Sequence, residues 1–173
     1  RMSTNVGKRI VEMVWEDLTP KKIISEKSVD NAVTVAMAMG CSTNAIIHLI
    51  AMARRAGIRL TMDDLDKKGR VIPLLANIRP SGNDYLMEDF FYAGGILSLM
   101  NSLADNLNLE EITVTGNKLG EIIDGKETLN ADVIRSLDNP IYKEGSLAVL
   151  KGNLAPDGCV IKPAACDKKF LKH

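Results

Sequence analysis

The residues best placed to do chemistry lie in one stretch, Met39-Gly40-Cys41-Ser42-Thr43-Asn44-Ala45-Ile46-Ile47-His48-Leu49-Ile50. A small-residue turn stops one helix there, and three side chains bearing hydroxyl or amide groups open the next. Ser42 or Thr43 can cap the orphan amides of the new helix, whose N-terminal field favours a carboxylate, phosphate or enolate. His48 follows Asn44 by four residues, so in a helix the imidazole and the amide share a face and can bind one ligand. Two plainer readings stand beside this one. Capping alone accounts for many Ser-Thr-Asn clusters, and a lone histidine in an apolar helix is more often a satisfied core group than a reagent.

A third reading takes residues 33–57 as a DNA-binding helix-turn-helix, since Ala36, Gly40 and Ile46 fall where that motif puts small and apolar residues. The composition argues against it. A recognition helix shows polar and basic groups to base edges, yet residues 45–53 read Ala-Ile-Ile-His-Leu-Ile-Ala-Met-Ala. Arg54 and Arg55 come only at the end, where cations suit the helix dipole, and 22 basic against 22 acidic residues leave no broad basic surface.

Helical elements must position this stretch. Apolar spacing predicts an amphipathic helix over 6–17, with Val6, Ile10, Met13, Val14 and Trp15 at helical intervals and Lys8, Arg9, Glu12 and Glu16 largely on the other side. Thr19-Pro20 starts a short helix through Ile24, and Ser25 or Ser28 starts one that runs to Met39 with Val29, Ala32, Val33, Ala36, Met37 and Met39 buried. The helix from Thr43 ends near Ala56 at Gly57. Thr61 with Asp64 makes a capping signal for a helix to about Lys68, and the dipole accounts for Asp63, Asp64 and Asp66 better than a metal site does.

Residues 71–78 form a short apolar run bounded by prolines, which predicts a buried strand of a parallel sheet. The loop Arg79-Pro80-Ser81-Gly82-Asn83-Asp84 follows at its carboxyl end, where open α/β sheets keep ligands, and makes Arg79 a candidate anion contact. Glu88 and Asp89 open a helical segment, Gly94-Gly95 breaks it, and residues 96–107 form another amphipathic helix. From Thr113 the pattern changes to short apolar runs, 112–114, 146–150 and 159–161, between Gly, Asn, Asp and Pro. The expected fold class is therefore α/β: helices on a short parallel sheet, a three-layer αβα remainder over 1–125, then a linker and the start of a β-rich domain over 126–173.

The 46% apolar and 25% charged residues fit a soluble globular protein. The longest apolar run is too short to cross a bilayer, and the N-terminus lacks a signal-peptide pattern. Three cysteines, Cys41, Cys159 and Cys166, are an odd number at irregular spacing, which fits a reducing compartment. The expected location is cytoplasmic, or an organellar matrix in a eukaryote, with no nucleic-acid or membrane partner.

The chain resembles the dihydroxy-acid dehydratase and 6-phosphogluconate dehydratase family. Gly40-Cys41-Ser42-Thr43-Asn44 through His48-Leu49 is similar to its Gly-Gly-Ser-Thr-Asn…His-Leu segment, with Cys41 where glycine is expected. Further segments agree in order: Pro73 to Gly82, Tyr85 to Phe90, Ala93-Gly94-Gly95, Thr113 to Gly116, Leu119-Gly120-Glu121, Leu137 to Pro140, Gly152 to Gly158 and Ile161-Lys162-Pro163. Cys166-Asp167-Lys168 matches the start of the family's cluster-binding signature, but it lies too deep in the chain, and Lys169-Phe170 replaces the signature's later proline. We read it as coincidence.

The resemblance implies a hydro-lyase that removes water from a 2,3-dihydroxy carboxylate to give a 2-oxo acid. An iron–sulfur cluster acts there as Lewis acid, Mg2+ holds the carboxylate and C2 hydroxyl, and a base takes the C2 proton. It also implies that this chain is an internal piece of a longer enzyme, dimeric or tetrameric, whose cluster cysteines, metal ligands and serine base lie elsewhere. Alone, the piece is expected to bind no metal or cluster and to be inactive, a packing or dimerisation fragment. Ser42, Thr43, Asn44 and His48 carry over only as pocket-lining residues. The segments 75–82 and 85–95 look closer to the sugar-acid dehydratases than to the branched-chain biosynthetic enzyme, which is the alternative.

Overall fold

The computed structural model describes residues 2–166. Eight α-helices and one β-hairpin follow in chain order among those residues: α1 (Met2–Trp15), α2 (Pro20–Ile23), α3 (Glu26–Met39), α4 (Thr43–Arg55), α5 (Met62–Val71), α6 (Met87–Tyr92), α7 (Gly95–Ser102) and α8 (Leu119–Ile123), then β1 (Ala148–Gly152) and β2 (Ala155–Ile161).

Local capping chemistry sets most helix starts. Ser25 caps α3, its hydroxyl accepting from the Ser28 amide at 3.0 Å while Ser28 Oγ accepts from Ser25 N at 2.8 Å. Thr61 and Asp64 make the same reciprocal arrangement at α5. Asp63 pairs with Lys151 and Asp66 with Arg70, so each of the three acidic residues of α5 serves a cap or an ion pair.

α3 is the central helix. Val33, Val35, Met37 and Ala38 from it join Ile46, Leu65, Leu75, Ala76, Ile78, Phe90, Leu99, Leu103, Val133, Ile134 and Leu147 in one buried cluster. Burying such side chains contributes on the order of 1.5–3 kcal/mol each, which identifies this cluster as the main stabilising element. Val133, Ile134 and Leu147 come from beyond residue 125, so the later part of the chain shares the core of the earlier part.

The α/β class fits a helix-rich chain with a small sheet, but the strand arrangement differs from expectation. The only sheet among the described residues is the antiparallel hairpin, with Ala148 opposite Ile161 and Leu150 opposite Cys159. Residues 74–78 are extended and fully buried as predicted, yet they form isolated bridges, Leu74 with Tyr142, Ala76 with Ile134 and Ile78 with Tyr85, in place of a parallel sheet. The earlier elements are all helical and offer no strand edge, so this run bonds to the loop segments that follow it. Residues 112–114 also fall short of a strand, making one bridge from Ile112 to Lys118.

α1 forms, but its apolar side is not covered. Met13 is buried, whereas Val6 is 63%, Val14 73% and Trp15 85% exposed. A fork from Arg9 to Glu16 at 2.7 Å and from Arg9 Nε to the Val114 carbonyl at 2.7 Å fixes the helix on its charged side. Of the apolar residues of α1, Met13 alone is covered among the described residues.

Candidate functional site

The turn between α3 and α4 is built from the end of α3 outward. A helix leaves its last carbonyls without intrahelical partners. Here distant segments take them up. The Met37 carbonyl accepts from Ser146 N at 3.2 Å, and the Ala38 carbonyl accepts from Leu75 N and Ala76 N at 2.8 and 3.1 Å. The Gly40 and Cys41 amides turn back to the Ala36 carbonyl, each at 3.2 Å.

Gly40 ends the helix in the left-handed conformation at φ 82°, and a Cβ there would overlap the side chain of Ser81. Only glycine meets both demands without strain. Ser81 is fully buried and donates its hydroxyl to the Gly40 carbonyl at 3.0 Å. Lys162, just past β2, donates to the same carbonyl at 2.9 Å and to the Cys41 carbonyl at 3.1 Å.

Ser42 then caps α4, accepting from the Asn44 amide at 3.2 Å. Of the two capping candidates it is Ser42 that serves, and Thr43 is the first helical residue. Ser42, Thr43, Asn44 and His48 are all exposed, with Asn44 and His48 one turn apart on α4. His48 is thus not a core histidine. Three polar side chains and an imidazole line an open ledge at the positive end of a 13-residue helix, an arrangement that can bind and orient a carboxylate.

Arg79 is exposed, and its Nε donates to the Asn83 carbonyl of its own loop at 2.9 Å. Asn77 organises that loop from below. Its amide nitrogen donates to Asp84 at 3.0 Å and to the Asp132 carbonyl at 3.3 Å, and its oxygen accepts from Asn83 N at 3.1 Å. The loop and the ledge meet through Ser81, not through Arg79. Sequence reasoning passed over Ser81, Asn77 and Lys162 as individual residues, although all three stand in segments that resemble the family. An apolar groove lined by Pro20, Ile24 and Met52 lies between α2 and the far half of α4 and shares no residue with the ledge.

Electrostatics separate Cys41 from a reactive thiolate. Burial pushes its thiol up from the ordinary value, and the nearby Lys162 ammonium offsets this only in part. Partial burial likewise pushes the Lys162 ammonium down, with Cys41 acting the other way. Among the described residues, no three His, Cys, Asp or Glu side chains converge as a metal site. Asp167 and Lys168 of the cluster-like triplet lie outside the described residues, as does the stretch to His173. No described helix is long and apolar enough to cross a membrane.

Residues 1–122 match the family described as dihydroxy-acid/6-phosphogluconate dehydratase N-terminal, and residues 132–173 match its C-terminal counterpart. The chain belongs to the dihydroxy-acid/6-phosphogluconate dehydratase family. Similar members of that family include dihydroxy-acid dehydratase 1 of Methanosarcina acetivorans, 44% identical over 100% of this chain and 32% of the relative. The 6-deoxy-6-sulfo-D-gluconate dehydratase of Pseudomonas putida is 45% identical over 100% of this chain and 30% of its own length. L-arabinonate dehydratase of Rhizobium leguminosarum bv. trifolii is 41% identical over 99% of this chain and 30% of its own length. The chain thus spans about a third of the length of these family members.

Proposed function

We propose that this chain is the central part of a longer hydro-lyase that dehydrates a 2,3-dihydroxy carboxylate, a sugar acid, to a 2-oxo-3-deoxy acid. The observation that carries this reading is the ordered match of both family segments along one chain, residues 1–122 and 132–173, with relatives that are named dehydratases. The division of labour follows from the site. Ser42, Thr43, Asn44 and His48 form one wall of the substrate pocket, receiving the acid's carboxylate or hydroxyls at the start of α4, and Arg79 stands on the neighbouring loop as a further candidate contact.

An iron–sulfur cluster and Mg2+ belong to this proposal as groups held by other parts of the protein. The described residues do not fit either group: Cys41 has a half-buried, protonated thiol beside Lys162, and no trio of metal-binding side chains converges. No reaction step is therefore assigned to residues of this chain. A homo-oligomeric, cytoplasmic enzyme completes the proposal, with any division into domains falling beyond Leu147, the last buried residue to share the core of the earlier part.

A second reading, a dihydroxy-acid dehydratase of branched-chain amino acid biosynthesis, has comparable support in the 44% identity to the Methanosarcina acetivorans protein. The test is turnover by the complete protein, prepared anaerobically with iron, sulfide and Mg2+, on a panel of aldonic acids and on 2,3-dihydroxy-isovalerate. Preferred formation of a 2-oxo-3-deoxy sugar acid supports the first reading. Preferred turnover of the branched-chain acid selects the second, and a complete protein that dehydrates neither refutes both.

A further inference from the structure

We infer that Lys162 is the positioning residue of the ledge at residues 40–44, an inference that rests on that ledge facing substrate as proposed above. Both hydrogen bonds of Lys162 go to backbone carbonyls, so it acts through other residues. Its ammonium has three donors, and two of them go to the carbonyls of Gly40 and Cys41, 2.9 and 3.1 Å away and 122 and 121 positions back along the chain. A cation is favoured at this spot because it is the negative end of α3.

The consequence for the ledge is geometric. Cys41 is the residue before the cap Ser42, so the direction of its carbonyl sets how the chain enters α4 and where Ser42, Thr43 and Asn44 point. Ser81 holds the same turn from the buried side at the Gly40 carbonyl, and Lys162 is the described contact on the Cys41 carbonyl itself. The anchor comes from the segment that matches the C-terminal family description, while the ledge lies in the one that matches the N-terminal description. Placement of the ledge is thereby coupled to docking of the β1–β2 hairpin.

Cys41 supplies a built-in reporter, and Cys159, exposed on β2, an internal reference. In the complete protein, K162M, K162R and the parent are alkylated with iodoacetamide, and the rates at Cys41 and Cys159 are resolved by peptide mass mapping. Loss of the ammonium alone raises the Cys41 thiol pKa and slows labelling, so acceleration reports an opened turn. We expect Cys41 in K162M to react about tenfold faster relative to Cys159, with K162R within about threefold of the parent. We also expect KM for the hydroxy acid to rise about tenfold in K162M with kcat within about threefold, the pattern of weakened ground-state binding. Unchanged or slower Cys41 labelling overturns the inference whatever the activity. Faster labelling with unchanged KM supports Lys162 as the anchor of the turn and overturns the ledge as a substrate wall. Should K162M fail to fold, K162Q, which keeps a donor without the charge, makes the same comparison.

Discussion

Ser81 and Gly40 fit each other as donor and vacancy: the Ser81 hydroxyl reaches the Gly40 carbonyl at 3.0 Å because its side chain occupies the space a Cβ on Gly40 would need. The pair joins the loop after the buried extended run to the turn that starts α4. It also makes Gly40 irreplaceable for two independent reasons, its left-handed backbone and its contact.

Gly40→Ala is therefore expected to destabilise the protein by about 2–4 kcal/mol, since left-handed strain and overlap with a fully buried side chain add. Urea unfolding gives the value. Ser81→Gly in the same background should recover part of the loss by removing the obstacle, leaving the strain. A Gly40→Ala variant within about 0.5 kcal/mol of the parent would show that the turn is not built this way.

Asp66 ties α5 to the hairpin, with one oxygen accepting from Arg70 Nε at 2.8 Å and the other from the Val149 amide at 3.2 Å. The Arg70 hydrogen bond is the main reason its carboxyl sits below the usual carboxylate range, with burial opposing and the Val149 amide adding to the effect. A depressed folded pKa gives stability that is present above the unfolded value of about 3.9 and is lost as the pH falls through the folded value. Acid is thus expected to loosen β1 before the core. The protection of the Val149 amide relative to its intrinsic exchange rate, which itself slows on acidification, should fall as the pH drops, and Asp66→Asn should remove that pH dependence. Equal protection in both proteins across the range would refute the coupling.

Trp15 is the sole tryptophan and is 85% exposed at the end of α1. Its fluorescence in this 173-residue chain should resemble that of tryptophan free in water and be readily quenched by iodide. A blue-shifted, protected emission would show that something packs on the end of α1 around Trp15.

What was legible in the sequence was what neighbours decide. Ser25, Ser42 and Thr61 announce helix starts and Gly40 and Gly57 helix ends because capping partners lie within a few residues. The burial of residues 74–78 was legible from their apolar run, but their partners at Ile134 and Tyr142 were not, since a strand edge carries no label for what bonds to it. The same holds for the ledge. Its polar residues stand in one contiguous stretch, whereas Ser81 and Lys162 reach it from 41 and 122 positions away. For α1, periodicity identified a side and could not say whether anything covers it.

Asn77 offers the sharpest test of how the loop of Arg79 is held. It is buried, and its amide donates to Asp84 and to the Asp132 carbonyl while its oxygen accepts from Asn83 N. Asn77→Ala leaves those partners without a side-chain ligand and should cost about 2–3 kcal/mol. Asn77→Asp is nearly the same shape, yet at neutral pH it sets a carboxylate against the Asp84 carboxylate and the Asp132 carbonyl in place of a donor. We expect it to be worse than alanine at pH 7. The introduced carboxyl should have a raised folded pKa, so the penalty relative to the parent falls as the pH drops through that value and the protonated acid donates again. Unfolding curves for the three proteins at pH 5 and pH 7 decide it. If Asn77→Asp matched the parent at pH 7, the donor role assigned to the Asn77 amide would be wrong, and the loop would have to be held by its backbone hydrogen bonds, Gly82 N to Ile78 O at 2.7 Å and Arg79 N to Tyr85 O at 2.9 Å.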